Sequence, residues 1–200
     1  MTNRIVVGIC GASGSIYGIR LLKALLSQPW EVHLIISEAG KVVMAHELGF
    51  QDNSSFEQFL EREDVRFHED ARLIRHAPDD LLADSASGSF KHQGMVIAPC
   101  SMKTLAAVAS GYATNLMERT ADVCLKEKRP LVLVPRETPL NKIHLKNMIK
   151  AHNAGAIIMP PSPGFYFRPE AIDDLVDFIV ARILDQLNIE HNLIGEWGNN

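Results

Sequence analysis

The chain has 200 residues, with 20 basic and 24 acidic side chains, a formal net charge of −4 and 46% hydrophobic residues. That length predicts one domain with a large buried core, and the charge balance excludes the basic excess typical of proteins that bind nucleic acid. No apolar run reaches the roughly 20 residues that a membrane-spanning helix needs. We therefore expect a single α/β domain over residues 1–200, with a C-terminal tail from about residue 188.

The cysteines indicate the compartment. Cys10, Cys100 and Cys124 are odd in number and widely spaced, so they form neither a disulfide framework nor a metal cage. Reduced thiols, and an N-terminus without the pattern of a secretory signal, predict a cytoplasmic protein. Cys100 is either a nucleophile at a strand end or a small residue that lets a flat ring approach the backbone, and we favour the second interpretation.

The N-terminal segment is predicted to form a strand, a glycine-rich loop and a helix. Residues 5–10 are apolar and rich in β-branched side chains, residues 11–15 are Gly-Ala-Ser-Gly-Ser, and apolar residues then recur at helical spacing to Leu26. Free backbone N–H groups at the start of such a helix attract an anion, usually a phosphate. The pattern G-x-x-G-x-x-G is neither the dinucleotide fingerprint nor the P-loop. A mononucleotide phosphate site and a plain tight turn capped by Ser13 or Ser15 therefore both remain open.

Strands and helices alternate along the rest of the chain. The further predicted strands are residues 31–37, 65–68, 95–98, 130–135 and 156–159. The further predicted helices are residues 39–48, a short helix to residue 63 that Ser54 caps, and residues 102–110, 115–128, 141–154 and 169–187. This alternation predicts a parallel sheet between two layers of helices.

The expected ligand site lies at one edge of that sheet. In parallel α/β sheets, ligands bind outside the carboxyl ends of the strands, where the strand order reverses. The segments that follow those ends are residues 11–15, Ser37, residues 99–104, residues 136–137 and residues 160–166. Ser37 stands near the position where a dinucleotide site needs an acid, and a serine suits a phosphate or a ribityl hydroxyl better.

The last predicted helix carries an arginine on its apolar stripe. Arg182 follows Ile179 by three residues and Leu175 by seven. Because an unpaired buried charge is costly, Arg182 needs a partner there. We favour an anion-binding role slightly over an arginine whose stem covers a helix edge.

Three aspartates in the same helix match a metal-binding pattern. Asp173, Asp174 and Asp177 fit the D-D-x-x-D motif of metal-dependent prenyl transfer. They fall in the first two turns, where acids interact favourably with the helix dipole. We therefore interpret them as a solvated acidic face and predict no metal site.

Five motifs run through the chain: Gly11-Ala12-Ser13-Gly14, Pro99-Cys100-Ser101-Met102-Lys103-Thr104-Leu105, Arg119-x-x-Asp122-Val123-x-Leu125-Lys126, Val134-Pro135-Arg136-Glu137 and Pro163-Gly164-Phe165-Tyr166. Together they closely resemble the UbiX/Pad family of flavin prenyltransferases. The resemblance extends from the first strand to Trp197 and is weakest between about residues 51 and 83. It implies a Rossmann-like three-layer α/β/α sandwich with a six-stranded parallel sheet in the order 3-2-1-4-5-6, and a homododecamer.

The resemblance also implies a reaction. Dimethylallyl monophosphate joins reduced FMN at N5 and C6 without a metal, and the product, prenylated FMN, passes to a UbiD-type decarboxylase. A monophosphate is a poor leaving group, so cationic and hydroxyl donors must stabilise the charge that develops on it. An allylic cation needs an aromatic wall, which the flavin, Tyr166 and Trp197 can supply.

Residue roles follow from the matching motifs. By resemblance, FMN is held by Gly11, Ala12, Ser13, Ser37, Ser101, Met102, Lys103, Thr104 and Arg136. The prenyl phosphate is held by Tyr166 and Arg182, with Arg119 and Lys126 reaching in from a neighbouring part of the assembly. The implied catalytic residues are Glu137, which manages a flavin proton, together with Ser13, Tyr166 and Lys126.

Two alternative functions remain open at this stage. One is an FMN-dependent decarboxylase of the same fold that acts on a cysteine-containing peptide or a pantothenate derivative. The other is a non-catalytic FMN-binding protein. A cationic residue on an apolar stripe and an acid beside Arg136 argue against a passive carrier.

Overall fold

The computed structural model describes residues 3–51 and 55–195; Ser54 and Trp197, which carry two of the expectations above, lie outside these ranges. The strands are β1 (Asn3–Ile9), β2 (Trp30–Ile36), β3 (Arg72–His76), β4 (Met95–Cys100), β5 (Leu131–Pro135) and β6 (Ile157–Ile158). The helices are α1 (Ser15–Leu26), α2 (Glu38–Leu48), α3 (Phe56–Arg62), α4 (Met102–Ser110), α5 (Leu116–Lys126), α6 (Lys142–Asn153) and α7 (Ile172–Gln186). Within the described ranges, no helix has the length and apolar character needed to cross a membrane.

The six strands form one parallel sheet in the order β3-β2-β1-β4-β5-β6. One face packs against α1, α2, α3 and α7, and the other packs against α4, α5 and α6. Because successive side chains of a strand point to opposite faces, Ile5 and Val7 enter the first core while Val6 enters the second. The predicted three-layer architecture and strand order are confirmed.

Short polar side chains begin the helices that follow the central strands. Ser37 accepts a hydrogen bond from the backbone N–H of Gly40 at the start of α2, and Ser101 accepts one from Thr104 at the start of α4. Asn115 caps α5 in the same way. Such caps satisfy backbone donors that a helix leaves unpaired, so the backbone at Ser37 and at Ser101 turns from strand to helix directly after the strand ends. Ser37 and Ser101 therefore stand at the carboxyl edge of the sheet.

The third strand is not where the sequence predicted it. Residues 65–68 form a connection, because the N–H of Val65 bonds to the carbonyl of Leu60 at the end of α3 and the N–H of His68 bonds to that of Leu26. The strand is Arg72–His76, which pairs with β2. Its charged residues suit an edge position, and that composition concealed it in the sequence.

A buried carboxylate joins α5 to α4. The Glu118 side chain is only 1% exposed, and Lys103 Nζ lies 2.5 Å from its Oε1. Its Oε2 accepts hydrogen bonds from the backbone N–H and the hydroxyl of Thr114, each at 2.8 Å. Burial raises the pKa of Glu118, but the bonds from Lys103 and Thr114 outweigh burial and hold the pKa below its ordinary value.

Replacing this carboxylate tests its contribution to stability. We expect Glu118→Gln to lower the free energy of unfolding by about 1–3 kcal/mol, because the amide cannot replace all three charge-assisted bonds in a buried site. Urea unfolding at neutral pH measures the difference. Glu127→Gln, which alters a more exposed pair with Lys126, is the matched control and should leave the midpoint unchanged. Equal midpoints for Glu118→Gln and the unsubstituted protein would contradict this assignment.

Candidate active site

A cavity of about 540 Å³ lies where the loops after β1, β4 and β5 meet. We name it the switch-point cavity, since the strand order reverses between β1 and β4. Seven predicted site residues line it: Gly11, Ala12, Ser13, Ser101, Met102, Arg136 and Glu137. The structure thus brings together residues that are more than 120 positions apart in sequence, as the edge argument predicted.

The glycine loop presses closely against α2. A Cβ placed on Gly11 would stand 2.5 Å from the Cβ of Ala39, closer than any real contact allows. Gly14 has a φ of 105°, in the left-handed region that favours glycine, and it is the N-cap of α1. A cap by Ser13 or Ser15, which was part of one of the two interpretations left open by the sequence, is therefore excluded, because the capping residue is Gly14 and has no side chain.

The N-terminus of α1 is satisfied by Glu47, a residue of α2 that sequence reasoning missed. The Glu47 carboxylate accepts hydrogen bonds from the N–H of Gly14 at 3.0 Å and of Ser15 at 2.9 Å. Burial raises the pKa of Glu47, but bonds from the Ser13 hydroxyl and these two amides hold it below its ordinary value. The amides of Gly14 and Ser15 thus bind an anion, as expected of a helix N-terminus, but the anion belongs to the protein.

Arg136 and Glu137 follow the end of β5. The Nε of Arg136 donates to the carbonyl of Ser13 at 3.1 Å, so the guanidinium fastens the glycine loop to the β5 end. Glu137 is exposed, and its carboxylate accepts a bond from the N–H of Thr138 at 3.0 Å. Glu47 and Glu137 therefore bring two carboxylates to the cavity that also holds Ser13.

Three predicted FMN residues lie beside the switch-point cavity without lining it. The Ser37 hydroxyl caps α2. Thr104 is buried, and its hydroxyl accepts a bond from Ser101 at 3.1 Å. Lys103 is directed to Glu118. Their side chains form hydrogen bonds that stabilise the starts of the helices, and they do not form part of the cavity wall.

A second cavity, of about 970 Å³, holds the predicted prenyl-phosphate residues Tyr166 and Arg182 together. We name it the aromatic cavity, because Phe167 and Phe178 also line it. Their rings stack with centroids 5.3 Å apart, and Tyr166 meets the Phe178 ring edge to face at 5.8 Å. The sequence identified Tyr166 but gave no sign of its two phenylalanine neighbours.

The prediction that Arg182 occupies the apolar stripe of α7 is wrong. The buried face of that helix carries Val176, Ile179, Val180, Ile183 and Leu184. Arg182 lies away from this face, with a side chain 52% exposed and an Nη1 that donates to Asp185 at 2.8 Å. Its position in the aromatic cavity still leaves it available to an anion.

Arg119 and Lys126 line neither cavity. On α5, Arg119 bonds to Asp122 and to the carbonyl of Ala86. Lys126 pairs with Glu127 at 2.6 Å. Their separation from both cavities fits the expectation that they act on a neighbouring subunit, which stays a prediction.

Two of the three aspartates of the D-D-x-x-D pattern, Asp174 and Asp177, are engaged with the protein itself, and Asp173 is exposed. Asp177 forms an ion pair with Arg20 of α1. Asp174 accepts bonds from the N–H groups of Glu170 and Ala171, and these bonds hold its pKa below the ordinary value. Across residues 3–51 and 55–195, no cluster of three or more His, Cys, Asp or Glu side chains has an arrangement suited to a metal ion.

An open parallel sheet with a polar cavity at its switch point defines a nucleotide-binding α/β protein. A family model described as Flavoprotein matches residues 1–184, and the chain belongs to that family. Among its relatives, the flavin prenyltransferase UbiX of Halalkalibacterium halodurans is 50% identical over 192 residues, 96% of this chain and 92% of the relative. The flavin prenyltransferase UbiX of Pseudomonas aeruginosa is 47% identical over 198 residues, 98% of this chain and 94% of the relative. These similarities confirm the resemblance drawn from the motifs.

Solved structures agree with this membership. The crystal structure of AnUbiX (PadA1) in complex with FMN and dimethylallyl pyrophosphate has a TM-score of 0.87 and 40% identity, covering 100% of this chain and 99% of that one. A dodecameric FMN-dependent UbiX-like decarboxylase from Escherichia coli O157:H7 has a TM-score of 0.85 and 42% identity, covering 98% and 100%. Peptidyl-cysteine decarboxylase EpiD is 16% identical, with a TM-score of 0.58 over 94% and 99%, so it shares the fold alone.

The interaction of Glu47 with the α1 amides predicts a pH-dependent stability difference. We expect Glu47→Gln to lower the free energy of unfolding by about 0.3–1 kcal/mol at pH 7, because the neutral amide loses the attraction to the helix N-terminus. The pKa of Glu47 is lowered in the folded protein. The stabilisation is therefore present above its unfolded pKa, about 4.3, and is lost as the pH falls through the folded value.

Urea unfolding of Glu47→Gln between neutral pH and about pH 3 measures this difference. Glu69→Gln, at an exposed turn position, serves as the control and should follow the unsubstituted protein throughout. A Glu47→Gln difference that persists unchanged at the acid end would rule out the charge as its origin.

Proposed function

We propose that this protein is a flavin prenyltransferase that joins dimethylallyl monophosphate to reduced FMN at N5 and C6 and supplies prenylated FMN to a UbiD-type decarboxylase. The reaction class is supported by membership of the family and by sequence identities of 47% and 50% to flavin prenyltransferases over almost the whole chain. The observation that carries the proposal is the aromatic cavity, which combines three aromatic rings with Arg182. An aromatic wall stabilises an allylic cation, and a guanidinium stabilises the departing phosphate.

The switch-point cavity fits a flavin mononucleotide. Because Gly11 lacks a Cβ, the loop packs directly against Ala39 of α2, and its backbone forms part of the cavity wall. Arg136 supplies a cation at the rim, and Ser13 and Ser101 supply hydroxyl groups for the phosphate and the ribityl chain. When bound, reduced FMN supplies the nucleophilic ring positions that receive the prenyl group. We assign FMN binding to the residues that line the cavity, Gly11, Ala12, Ser13, Ser101, Met102 and Arg136. Ser37, Lys103 and Thr104 contribute indirectly in this proposal, because they hold the adjacent helices in place.

Tyr166 and Arg182 hold the prenyl phosphate in this proposal. The Tyr166 hydroxyl and the Arg182 guanidinium donate hydrogen bonds to the phosphate oxygens, and the adjacent rings exclude water from the prenyl chain. Arg119 and Lys126 add positive charge from a neighbouring subunit of a homododecamer. The dodecameric relative from Escherichia coli supports this assembly.

In this proposal, Glu137 accepts and returns the proton at the flavin, and Ser13 assists this proton transfer. Glu47 is held ionised by the α1 amides and the Ser13 hydroxyl, so it orients Ser13. Glu137 is exposed to the same cavity, which makes its carboxylate accessible for accepting and returning a proton. We therefore assign proton transfer to Glu137 and the orientation of Ser13 to Glu47.

The two alternative functions have less support. Cysteine-type decarboxylases such as EpiD share only the fold with this chain. That group has a methionine-rich substrate clamp after the fifth strand, whereas this chain reads Arg136-Glu137-Thr138-Pro139 there. A passive FMN carrier has no need of a separate aromatic cavity that contains an arginine.

A cytoplasmic location is also part of the proposal. Cys10, Cys100 and Cys124 are all buried and free. Unpaired thiols are typical of reducing compartments. The substrate, reduced FMN, needs a reducing compartment as well.

The reaction is tested directly with the purified protein. We expect reduced FMN and dimethylallyl monophosphate, mixed with it under anaerobic conditions, to produce a flavin heavier by one five-carbon unit, because the proposed function assigns a binding cavity to each substrate. Mass spectrometry of the extracted flavin detects the product. Recovery of unmodified FMN alone would overturn the proposal.

The role of Glu137 has a separate test. We expect Glu137→Gln to retain FMN but to slow prenylation at least about 100-fold, the usual contribution of a general acid–base group. Single-turnover flavin spectra measure the rate, and absorbance of the desalted protein measures retained FMN. Glu61→Gln, exposed on α3, is the control for removal of a carboxylate. Unchanged turnover of Glu137→Gln would remove this residue from the mechanism.

A further inference from the structure

One carboxylate in the aromatic cavity bridges the phosphate-binding arginine and a histidine. Asp185 Oδ2 accepts a hydrogen bond from Arg182 Nη1 at 2.8 Å, and Asp185 Oδ1 lies 3.0 Å from His191 Nε2. All three side chains line the cavity that also contains Tyr166. His191 comes after α7, and its side chain is only 11% exposed. These two hydrogen bonds link Arg182, which is proposed to bind the phosphate, to an imidazole that can take up a proton.

The contacts of His191 define its neutral form. Its Nδ1 accepts a long bond from the N–H of Leu193 at 3.4 Å, so the proton of the neutral ring is on Nε2, directed at Asp185. Protonation adds a proton at Nδ1. This step gives up the long bond from Leu193 and turns the contact with Asp185 into an ion pair.

Other charges around the cavity are mostly balanced. Asp177 pairs with Arg20 of α1, and Asp174 is held by backbone N–H groups at the start of α7. Arg168 and Glu170, in the segment before α7, contribute opposite charges to the wall. Glu190, next to His191, is exposed. Asp185 is therefore the acid in closest contact with both Arg182 and His191.

Asp185 and a phosphate dianion compete for the same guanidinium. The Arg182–Asp185 pair is about half exposed and hence weak, so an entering dianion can displace the carboxylate. The displaced carboxylate then faces the dianion and repels it. A positive charge on His191 neutralises Asp185 and removes that repulsion.

We infer that His191, acting through Asp185, is a positioning residue that links the affinity of the prenyl-phosphate site to protonation. This inference rests on the proposed function of Arg182 and Tyr166. The affinity for the dianion is higher when His191 carries a positive charge and lower when the imidazole is neutral. By linkage, a bound dianion favours the protonated imidazole to the same extent.

The test measures binding to the FMN-loaded protein, with oxidised FMN so that no turnover occurs. Calorimetry with dimethylallyl monophosphate gives its Kd, and competition with sulfate gives the pH profile. Sulfate remains a dianion throughout the range in which histidine titrates, about pH 5 to 8, whereas the phosphate monoester itself titrates near pH 6. We expect the sulfate Kd of the unsubstituted protein to rise about five- to tenfold across this range.

Three substitutions separate the contributions. His191→Gln keeps an N–H donor for Asp185 but cannot titrate, so its Kd should stay at the high-pH value and change less than twofold. Asp185→Asn should tighten binding at the high-pH end to near the low-pH value, because the competing charge is gone. Arg182→Ala should lose the anion at every pH. His152→Gln, exposed on α6, and Asp173→Asn, exposed on α7, are the matched controls and should retain the original profile.

The outcomes distinguish the inference from the function on which it rests. If Arg182→Ala binds dimethylallyl monophosphate as well as the unsubstituted protein does, the proposed phosphate site is wrong. If Arg182→Ala loses binding while His191→Gln keeps the pH profile, only the proton linkage is overturned. Weaker binding by Asp185→Asn at the high-pH end would also overturn it, since that result makes Asp185 a support and not a competitor.

Discussion

The parallel pairing of β1 with both β2 and β4 is the constraint on which the rest of the structure depends. Parallel strands all end at the same edge, so the loops after β1, β4 and β5 must converge there. This explains how Arg136 donates a hydrogen bond to the carbonyl of Ser13 across 123 positions of sequence. The close approach of Gly11 to Ala39 brings α2 against the same edge, and with α2 comes Glu47.

In both cavities, a carboxylate of the protein accepts hydrogen bonds from the donors that are best suited to bind an anion. Glu47 holds two backbone amides of α1, whose positions are fixed by the helix, and its lowered pKa keeps it charged. Asp185 holds Arg182, a long and half-exposed side chain that can move. The first interaction is structural, so a nucleotide phosphate would meet Arg136, which lines the same cavity, instead of these amides. The second is exchangeable, which suits a site where a phosphate must enter and leave.

The fold was largely predictable because local patterns and family motifs agreed. Continuous apolar runs such as residues 131–135 belong to strands buried on both faces, and the helix starts at Ser101 and Asn115 carry their own capping side chains. The third strand was missed because an edge strand carries charged residues and lacks the apolar signal of its neighbours. Arg182 was misplaced because residues three and seven positions apart share only an approximate helix face, and the packing of α7 on α1 determines which face is buried.

The sequence by itself determined the fold class, the family and most of the residues that line the switch-point cavity, because short motifs around Gly11, Ser101 and Arg136 carry that information locally. Only the tertiary structure decided how those residues are engaged. It assigned the α1 amides to Glu47, gathered Phe167 and Phe178 beside Tyr166, and joined Arg182 to His191 through Asp185. These contacts join different elements of the chain, and the packing of helices on a twisted sheet, which no local spacing encodes, sets their geometry.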